Sequence, residues 1–422
     1  MINTRSIIRL SILALLFTAS GVFSQVDKNG GSIYSLFGLG DLSYSSGNRT
    51  DAMGIMGIAL YGDYTNSNNP AAWTRIPTTI FTTKFNLENI KSTDGLNTSK
   101  RTYGNFEGFD LSIPLNKGNG WIFNLGVNNY SVVNYDAYFD GTVDGESYRQ
   151  TYSGNGGLYK FNLGFSYIIF KQFSFGAQFN YAFGNINKSV AIDFANTSLF
   201  DTKNVSANTI SGFYFNTGLI FHGFGKLLKN KKLDNFTLGA FVTTPTEFNS
   251  NLNGRFNRSA SNTDSVNISE GKLKVPLAFG VGIANTFNDK LVVAADVYYQ
   301  KWDDFKYYGT HPIEIKNSLK VGAGLEYTPS KKIEDPYISR ISYRVGGSYI
   351  QDYLKLNGEN INAISIGAGL SLPIGSYNSL DLYAKYFMRG KDSNGLIKDD
   401  IFRFGASVKI GELWFLRPSD EF

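Results

Sequence analysis

The chain contains few of the side chains that perform covalent chemistry, since it has two histidines, His222 and His311, and no cysteine. A serine or cysteine nucleophile normally needs a neighbouring histidine as its base. His311 with a nearby serine and aspartate could form such a triad, but nothing at its spacing supports one. The sequence also lacks a phosphate-binding loop and any cluster with metal-ligand spacing. We therefore predict no enzyme, no cofactor and no metal site.

A second group of side chains is suited to holding a ligand rather than to reacting with it. Nine charged residues fall on faces that otherwise carry glycine, serine and asparagine: Lys160, Asp296, Lys320, Glu326, Arg344, Asp381, Lys385, Arg403 and Lys409. They can steer a carboxylate, or they can pair with a segment packed against them, and the need of buried charges for partners favours pairing. Arg344 and Arg403 are the better carboxylate candidates, because a guanidinium matches that group with two hydrogen bonds. Asp296 and Lys385 complete the candidate polar contacts.

These charged residues lie in short segments where apolar and polar residues alternate. In Leu158–Phe170, tyrosine, phenylalanine, leucine and isoleucine occupy the odd positions from 159 to 169, whereas Lys160, Asn162, Gly164 and Ser166 alternate with them. Side chains of a strand point to opposite faces in turn, so this segment has one apolar and one polar face. Bulky aromatics opposite small polar residues are typical of a barrel with lipid outside and water or a plug inside. The pattern predicts an all-β fold, a transmembrane antiparallel β-barrel of about 14 strands.

The connections between these segments alternate in length. Short ones include residues 116–120, 171–172 and 288–290, and long ones include Asp136–Gly157 and Pro245–Pro276. Outer-membrane barrels have short periplasmic turns and longer surface loops. The order therefore predicts an outer-membrane protein whose termini are both periplasmic, with His222 and His311 on opposite sides of the membrane.

The rest of the chain completes the predicted domain organisation. Residues 1–24 have the pattern of a secretory signal, with Arg5 and Arg9 before an apolar centre. Residues 25–77 are rich in glycine and lack sustained alternation, which favours a plug inside the barrel. The barrel then covers residues 78–415, and a periplasmic tail covers residues 416–422. The net charge of +5 is too small and scattered to predict nucleic-acid binding, and the lack of cysteine excludes a lipoprotein anchor.

Several motifs resemble one known family. Asn68-Asn69-Pro70-Ala71 lies just before the first strand, and "VPLAFGVGIANTFNDKLVVAADVYYQKWDDF" (Val275–Phe305) is similar to a proline-led hairpin of that family. "YRVGGSYI" (Tyr343–Ile350) and "ISIGAGLSLPIG" continue the similarity. Over nearly the whole mature chain, the sequence resembles a divergent branch of the FadL/TodX-type outer-membrane channels for hydrophobic compounds.

The resemblance implies a mechanism. In such channels an N-terminal hatch blocks the lumen, and a hydrophobic ligand leaves through a gap in the third strand into the bilayer. By that analogy, Asn68, Asn69, Pro70 and Ala71 form the hatch motif. The third strand (Trp121–Tyr135) then carries a lateral opening near Gly126, Asn128 and Asn129, where glycine and polar residues weaken strand pairing. A plain strand whose asparagines face a loop is the equal alternative.

The sequence therefore predicts passive uptake of a small hydrophobic compound similar to a fatty acid or hydrocarbon. The predicted partners are that ligand, outer-membrane lipid or lipopolysaccharide, and the barrel-assembly machinery during insertion. The longest loop, Pro245–Pro276, is polar, so an apolar capture surface is only half present. A non-transporting accessory subunit or shuttle of an outer-membrane secretion or assembly complex, bound to other outer-membrane proteins, stays open as the alternative. An open general porin is the third candidate function.

Overall fold

Fourteen strands form the wall in the computed structural model, which describes residues 30–44, 46–259 and 262–412. The predicted signal (residues 1–24) and tail (residues 416–422) lie outside the described residues. The strands are β1 (Thr79–Thr93), β2 (Thr98–Asn116), β3 (Trp121–Val143), β4 (Glu146–Ile169), β5 (Phe173–Phe194), β6 (Thr202–Phe221), β7 (Thr237–Thr243 and Thr246–Ser259), β8 (Asn262–Val275 and Ala278–Phe287), β9 (Leu291–Gln300), β10 (Ser318–Tyr327), β11 (Ser342–Leu356), β12 (Glu359–Ile374), β13 (Asn378–Gly390) and β14 (Lys398–Glu412).

Each strand pairs antiparallel with its neighbours in the chain, and the last strand returns to the first. β14 pairs with β1 along its whole length, from Lys398 opposite Thr93 to Glu412 opposite Thr79. This pairing closes the sheet, so the predicted barrel and its strand count are confirmed. Closure lets a sheet cross a bilayer, because it leaves no free edge facing lipid.

The two faces of the wall follow the predicted alternation. On β4, Phe161, Leu163 and Phe165 point outward and are 37%, 39% and 51% exposed, whereas Asn162 and Ser166 point inward and are fully buried. The outward side chains would meet acyl chains, and the inward ones contact the lumen contents. Among the described helices, none is long and apolar enough to cross a membrane.

The predicted loop Pro245–Pro276 is wrong, because this segment continues the wall as a hairpin. The second part of β7 pairs with the first part of β8, from Thr246 opposite Val275 towards the tip. Each of these two strands is interrupted for two residues, and each interruption contains a proline, Pro245 or Pro276. Proline cannot donate a ladder hydrogen bond, which is why the strands break there.

The two ends of the barrel differ in height. The strands β3 to β8 run on past the predicted boundaries at one end, which we call the extended end; β4, for example, reaches Glu146 rather than beginning at Leu158. The opposite end, which we call the short-turn end, carries the tight connections such as Phe170–Gln172. Part of each predicted surface loop is therefore strand.

The segment before β1, residues 30–78 without residue 45, contains little regular structure. It has three short helices, Ile33–Leu36, Asn48–Ala52 and Pro70–Arg75, and one two-residue strand, Asp41–Leu42. The connections between the wall strands contain the other short elements that the structure describes: the helices Phe224–Leu227, Lys231–Leu233, Trp302–Asp304 and Tyr337–Arg340 and the strand Lys306–Tyr307. We call residues 30–78 the inner segment, because its contacts are with the inward face of the wall.

Candidate functional site: the lumen

Glycines of the wall let the backbone of the inner segment approach closely. A Cβ atom at Gly346 would lie 2.0 Å from the carbonyl oxygen of Met53, and one at Gly322 would lie 2.3 Å from that of Gly54. Side chains at these wall positions would push the inner segment away. The small residues on the inward face of the wall therefore leave room for the backbone of the inner segment.

The predicted hatch motif ties the inner segment to itself and to the wall. Asn69 donates from Nδ2 to the Ile58 carbonyl (2.7 Å) and accepts at Oδ1 from the Ala71 amide (3.0 Å). The Asn68 carbonyl accepts from Asn216 of β6 at 2.7 Å. Pro70 begins a 3₁₀ helix after the Asn69 cap, and Ala71 is fully buried within it. These four residues thus hold a turn against β5 and β6.

Asn66, which the sequence analysis missed, organises the same turn. Its side-chain oxygen accepts from the amides of Asn68 (2.8 Å) and Asn69 (3.1 Å), and its amide nitrogen donates to the Gly57 carbonyl at 2.8 Å. Its own carbonyl accepts from the indole of Trp73 at 2.7 Å. An asparagine before Asn-Pro is a recognisable turn signal, but only the fold shows that it also reaches Gly57.

The predicted polar contacts lie in the lumen and are engaged by protein groups. Asp296 accepts from the amides of Met56 (3.0 Å) and Gly57 (2.8 Å) of the inner segment. Lys385 is 3.7 Å from Asp51. Arg403 pairs with Glu88 at 2.6 Å. Asp296 and Lys385 therefore contact the inner segment, whereas Arg403 joins two strands of the wall, β14 and β1.

Arg344 stands at the centre of a larger ion-pair group. Its guanidinium donates to Glu326 at 2.7 Å and to Asp381 at 2.9 Å, and Arg49 of the inner segment reaches the other oxygen of Glu326 at 2.7 Å. Two of the three guanidinium nitrogens of Arg344, Nε and Nη1, are thus already engaged by carboxylates of the wall. Arg389, which the sequence analysis did not single out, makes a similar bridge from Asp352 of the wall to Asp41 of the inner segment, each at 2.6 Å.

The extended half of the lumen is filled by an apolar core. Tyr34 and Leu39 of the inner segment are buried there with Phe248, Trp302 and Tyr353 of the wall and its connections. The rings of Trp302 and Tyr353 stack with centroids 4.7 Å apart. We call this cluster the lumen core. Its side chains occupy the space through which a solute entering from the extended end would pass.

Asn128 and Asn129 lie where the second and third strands part, whereas Gly126 is still paired with Asp110 of β2. β2 and β3 pair from Asn116 opposite Trp121 up to Gly108 opposite Asn128, and no described pairing joins them beyond that point. β3 itself is continuous, with a bulge between Asn129 and Ser131. Asp41 and Leu42 of the inner segment pair with the free edge of β3 at Val132 and Ser131. We call this stretch, in which β2 and β3 are not paired with each other, the seam.

The seam is bordered by polar groups. Asn128 accepts from Lys84 at 2.7 Å and donates to Asp110 at 3.0 Å. A cavity of about 150 Å³ behind the seam is lined by Asn129 and by charged residues such as Glu107, Arg389 and Arg403. A second lumen cavity holds about 80 Å³, next to Lys160 and Tyr214. Drug-sized ligands occupy mostly apolar pockets of roughly 300–1,000 Å³, so neither cavity matches one.

Two wider spaces lie at the ends of the barrel. A polar vestibule of about 760 Å³ opens at the short-turn end, next to Arg75 and Lys409. A groove of about 610 Å³ lies at the surface of the extended end, lined by Ile33, Leu36, Phe37, Ile313, Leu356 and Leu396. Leu396 belongs to the lumen core, and Ile33, Leu36, Phe37 and Leu356 pack against it, so the groove lies directly on that core.

Comparison with known proteins assigns the family. The model of the family described as BamG matches residues 6–419. The chain belongs to the BamG family. No curated protein sequence matches the chain.

The fold of this BamG-family barrel is that of the FadL-like channels. It is similar to the CymD monoaromatic hydrocarbon channel (TM-score 0.55, 14% identity, 90% of this chain and 100% of that chain). It is also similar to the Ralstonia pickettii toluene transporter TbuX (TM-score 0.56, 14% identity, 86% and 98%) and the Pseudomonas putida toluene transporter TodX (TM-score 0.54, 17% identity, 88% and 99%). The predicted resemblance to the FadL/TodX-type channels is confirmed at the level of the fold, and the low identity fits a divergent sequence.

Proposed function

We propose that this barrel is a non-transporting subunit of an outer-membrane assembly complex. The observation that carries the proposal is the filled lumen: the lumen core occupies its extended half, and charged groups such as Arg344 and Lys385 are engaged by carboxylates of the protein itself. A hydrophobic solute would have to displace Trp302, Tyr353 and Phe248, all of which are fully buried. The family name BamG, which points to the barrel-assembly machinery, supports the same function.

In this proposal the barrel serves as a scaffold. The inner segment is held by ion pairs and hydrogen bonds to many strands, which stiffens the cylinder and leaves its outer surface free for partners. The short-turn end faces the periplasm, because short turns do so in outer-membrane barrels. The periplasmic location of both termini stays a prediction, since residues 1–29 and 413–422 are outside the described part of the chain.

Purification of the tagged protein from its own membrane tests the proposal. Extraction in mild detergent is expected to yield a stoichiometric complex that contains barrel-assembly proteins, and depletion is expected to lower the amounts of other outer-membrane barrels. An isolated protein whose loss leaves those barrels unchanged would overturn the assignment. A tagged barrel of similar size and abundance provides the control for nonspecific recovery.

Passive uptake of a small hydrophobic compound is the second candidate, and the apolar groove at the extended end favours it. In this case the groove captures the solute and the seam releases it into the bilayer. The discriminating measurement is the lipid and hydrocarbon content of the purified barrel, with uptake of labelled toluene in cells that have or lack the protein. Retained hydrocarbon and protein-dependent uptake would support transport, whereas the scaffold predicts neither.

A further inference from the structure

The two longest connections of the short-turn end carry an excess of positive charge. We call residues 222–236 and 328–341 the basic turns. The first holds Lys226, Lys229, Lys231 and Lys232 against Asp234 alone, and the second holds Lys331, Lys332 and Arg340 against Glu334 and Asp335. The six lysines are exposed, and no ion pair involves them among the described residues. Their charge is therefore available to an external anion.

The same turns expose large apolar side chains. Leu227 and Leu228 are 68% and 58% exposed, and Ile333, Tyr337 and Ile338 are 57%, 48% and 69% exposed. Single exposed apolar residues are ordinary on a protein surface, but groups of them mark contact with another apolar phase. Lysines beside such a group can bury their alkyl stems and keep their ammonium groups at a polar boundary.

Both basic turns are continuous with the lipid-facing surface of the barrel. Phe224 of the first turn packs edge-on against Phe221 (4.7 Å between centroids) and Phe236 (5.0 Å). Phe221 in turn contacts Phe173, at the short-turn end of β5. Since the outward face of β6 carries Phe213, Phe215 and Leu219, the first turn extends the apolar band of the wall rather than standing apart from it.

The second turn joins the aromatic girdle in the same way. The hydroxyl of Tyr343, an outward residue of β11, donates to the Ile338 carbonyl at 3.1 Å, and Tyr343 pairs with Tyr327 of β10. Tyrosines at strand ends mark the boundary between acyl chains and headgroups. Ile338 and the neighbouring lysines therefore lie at that boundary.

We propose that the basic turns form a binding site for anionic phospholipid headgroups. Leu227, Leu228 and Ile338 enter the leaflet at the short-turn end, and the lysines contact the phosphates. Basic residues with adjacent apolar side chains are the features that bind anionic membrane surfaces. The continuity with the lipid-facing wall favours a leaflet over an acidic protein, and the site is independent of whether the barrel transports a solute.

A cysteine reporter tests the insertion, because the chain has no cysteine of its own. Leu228→Cys, labelled with an environment-sensitive fluorophore, is placed in vesicles of phosphatidylethanolamine and phosphatidylglycerol at 3:1. We expect strong quenching by doxyl-labelled lipid and weak quenching by aqueous iodide. Leu96→Cys, at a tip of the extended end where Leu96 is 95% exposed, is the control and should show the reverse. Equal iodide quenching at the two sites would overturn the proposal and point instead to an aqueous surface for an acidic protein.

Lipid selectivity is tested with a charge variant. The variant changes four lysines of the first basic turn together to Gln: Lys226, Lys229, Lys231 and Lys232. The control makes the same change at four exposed lysines of the extended end: Lys91, Lys100, Lys203 and Lys306. A lysine near an anionic surface contributes about 1 kcal/mol, or roughly a fivefold preference. We expect the wild type and the control to retain phosphatidylglycerol over phosphatidylethanolamine by about fivefold or more in native mass spectrometry, and the basic-turn variant to lose that preference. Heat-modifiable migration on a gel checks that all three are folded. No preference in the wild type, or an equal loss in the control, would refute the site.

Discussion

The two halves of the lumen hold the inner segment by different means. Towards the short-turn end its backbone lies on wall glycines and is fixed by polar groups, as in the bonds from Met56 and Gly57 to Asp296. Towards the extended end, Tyr34 and Leu39 enter an apolar core. Hydrogen bonds and ion pairs are directional, so the first region sets the register of the segment. Apolar burial is not directional, so the second region does not set the register but excludes water and closes the lumen.

The largest effect is expected from Gly346→Val in the polar half. A Cβ at this position would lie 2.0 Å from the Met53 carbonyl oxygen and 2.7 Å from that of Ala323. Both are backbone atoms, so a change of side-chain rotamer cannot relieve the clash. The expected loss exceeds the roughly 1–3 kcal/mol of ordinary overpacking, and the inner segment should leave the wall. Thiol labelling of a Ser67→Cys reporter, at a position 2% exposed, is expected to rise. Gly118→Val, whose nearest neighbour would be 3.5 Å away, should leave the labelling low.

Substitution of two buried tryptophans, one in each half of the lumen, tests whether the two halves respond separately. Trp73 and Trp302 are both fully buried, the first in the polar half and the second in the lumen core. Each change to alanine should destabilise by about 3–5 kcal/mol. Trp302→Ala should expose a Ser32→Cys reporter but not Ser67→Cys, and Trp73→Ala should do the reverse. If both variants exposed both reporters, the two halves would form one cooperative unit and the comparison would fail.

Removing one charge of the polar half should have a slightly smaller effect. Glu326→Gln leaves Arg344 and Arg49 without their shared carboxylate. Loss of one partner from a buried pair destabilises by about 3–5 kcal/mol, and the glutamine oxygen should bring this towards the low end. Chemical unfolding in detergent measures the difference. The control Asp140→Asn breaks the exposed pair with Arg149 and should change stability by less than about 1 kcal/mol.

The smallest effect is a pH dependence at the short-turn end. Burial, with a contribution from nearby Arg75, lowers the pKa of His222 to about 4. The unfolded chain binds this proton near its ordinary value of about 6.5. The contribution of His222 to stability is therefore complete above pH 6.5 and is lost as the pH falls towards 4. Histidine NMR should show His222 titrating well below 6.5, and His222→Gln should flatten the dependence of stability on pH between 6.5 and 4. A His222 pKa near 6.5 would contradict this.

Strand alternation was sufficient to predict the barrel, but not its height. In β4 the odd-numbered residues from 159 to 169 face lipid, whereas Tyr148 and Tyr152 beyond Gly156 and Gly157 are even-numbered and paired with Phe194 and Val190. The apolar residues thus move from odd to even positions beyond the two glycines. A search for one unbroken alternation therefore ends the strand at that point, although the ladder continues. The hairpin of β7 and β8 has only scattered apolar residues, such as Phe248 and Leu273, so its alternation is weak in the sequence and its ladder partners come only from the fold.

The site was predicted in part for a similar reason. Asp296, Arg344, Lys385 and Arg403 could be placed on the inward face from their positions in strands. Their partners in the non-periodic inner segment, among them Arg49 and Asp51, could not be identified, because no local pattern tells which residue meets which strand. Asn128 and Asn129 lie at the end of the pairing between β2 and β3, Gly126 lies within it, and β3 itself is continuous. A lateral opening at this level stays a prediction.

The most direct test of a sealed lumen is conductance in planar bilayers. The mature chain is expected to be silent, because the inner segment and the lumen core fill the cylinder. Removal of residues 25–77 should give stable ohmic steps from barrels that still show heat-modifiable migration on a gel. A mature chain that already conducts like an open pore, or a folded deletion variant that stays silent, would contradict the account.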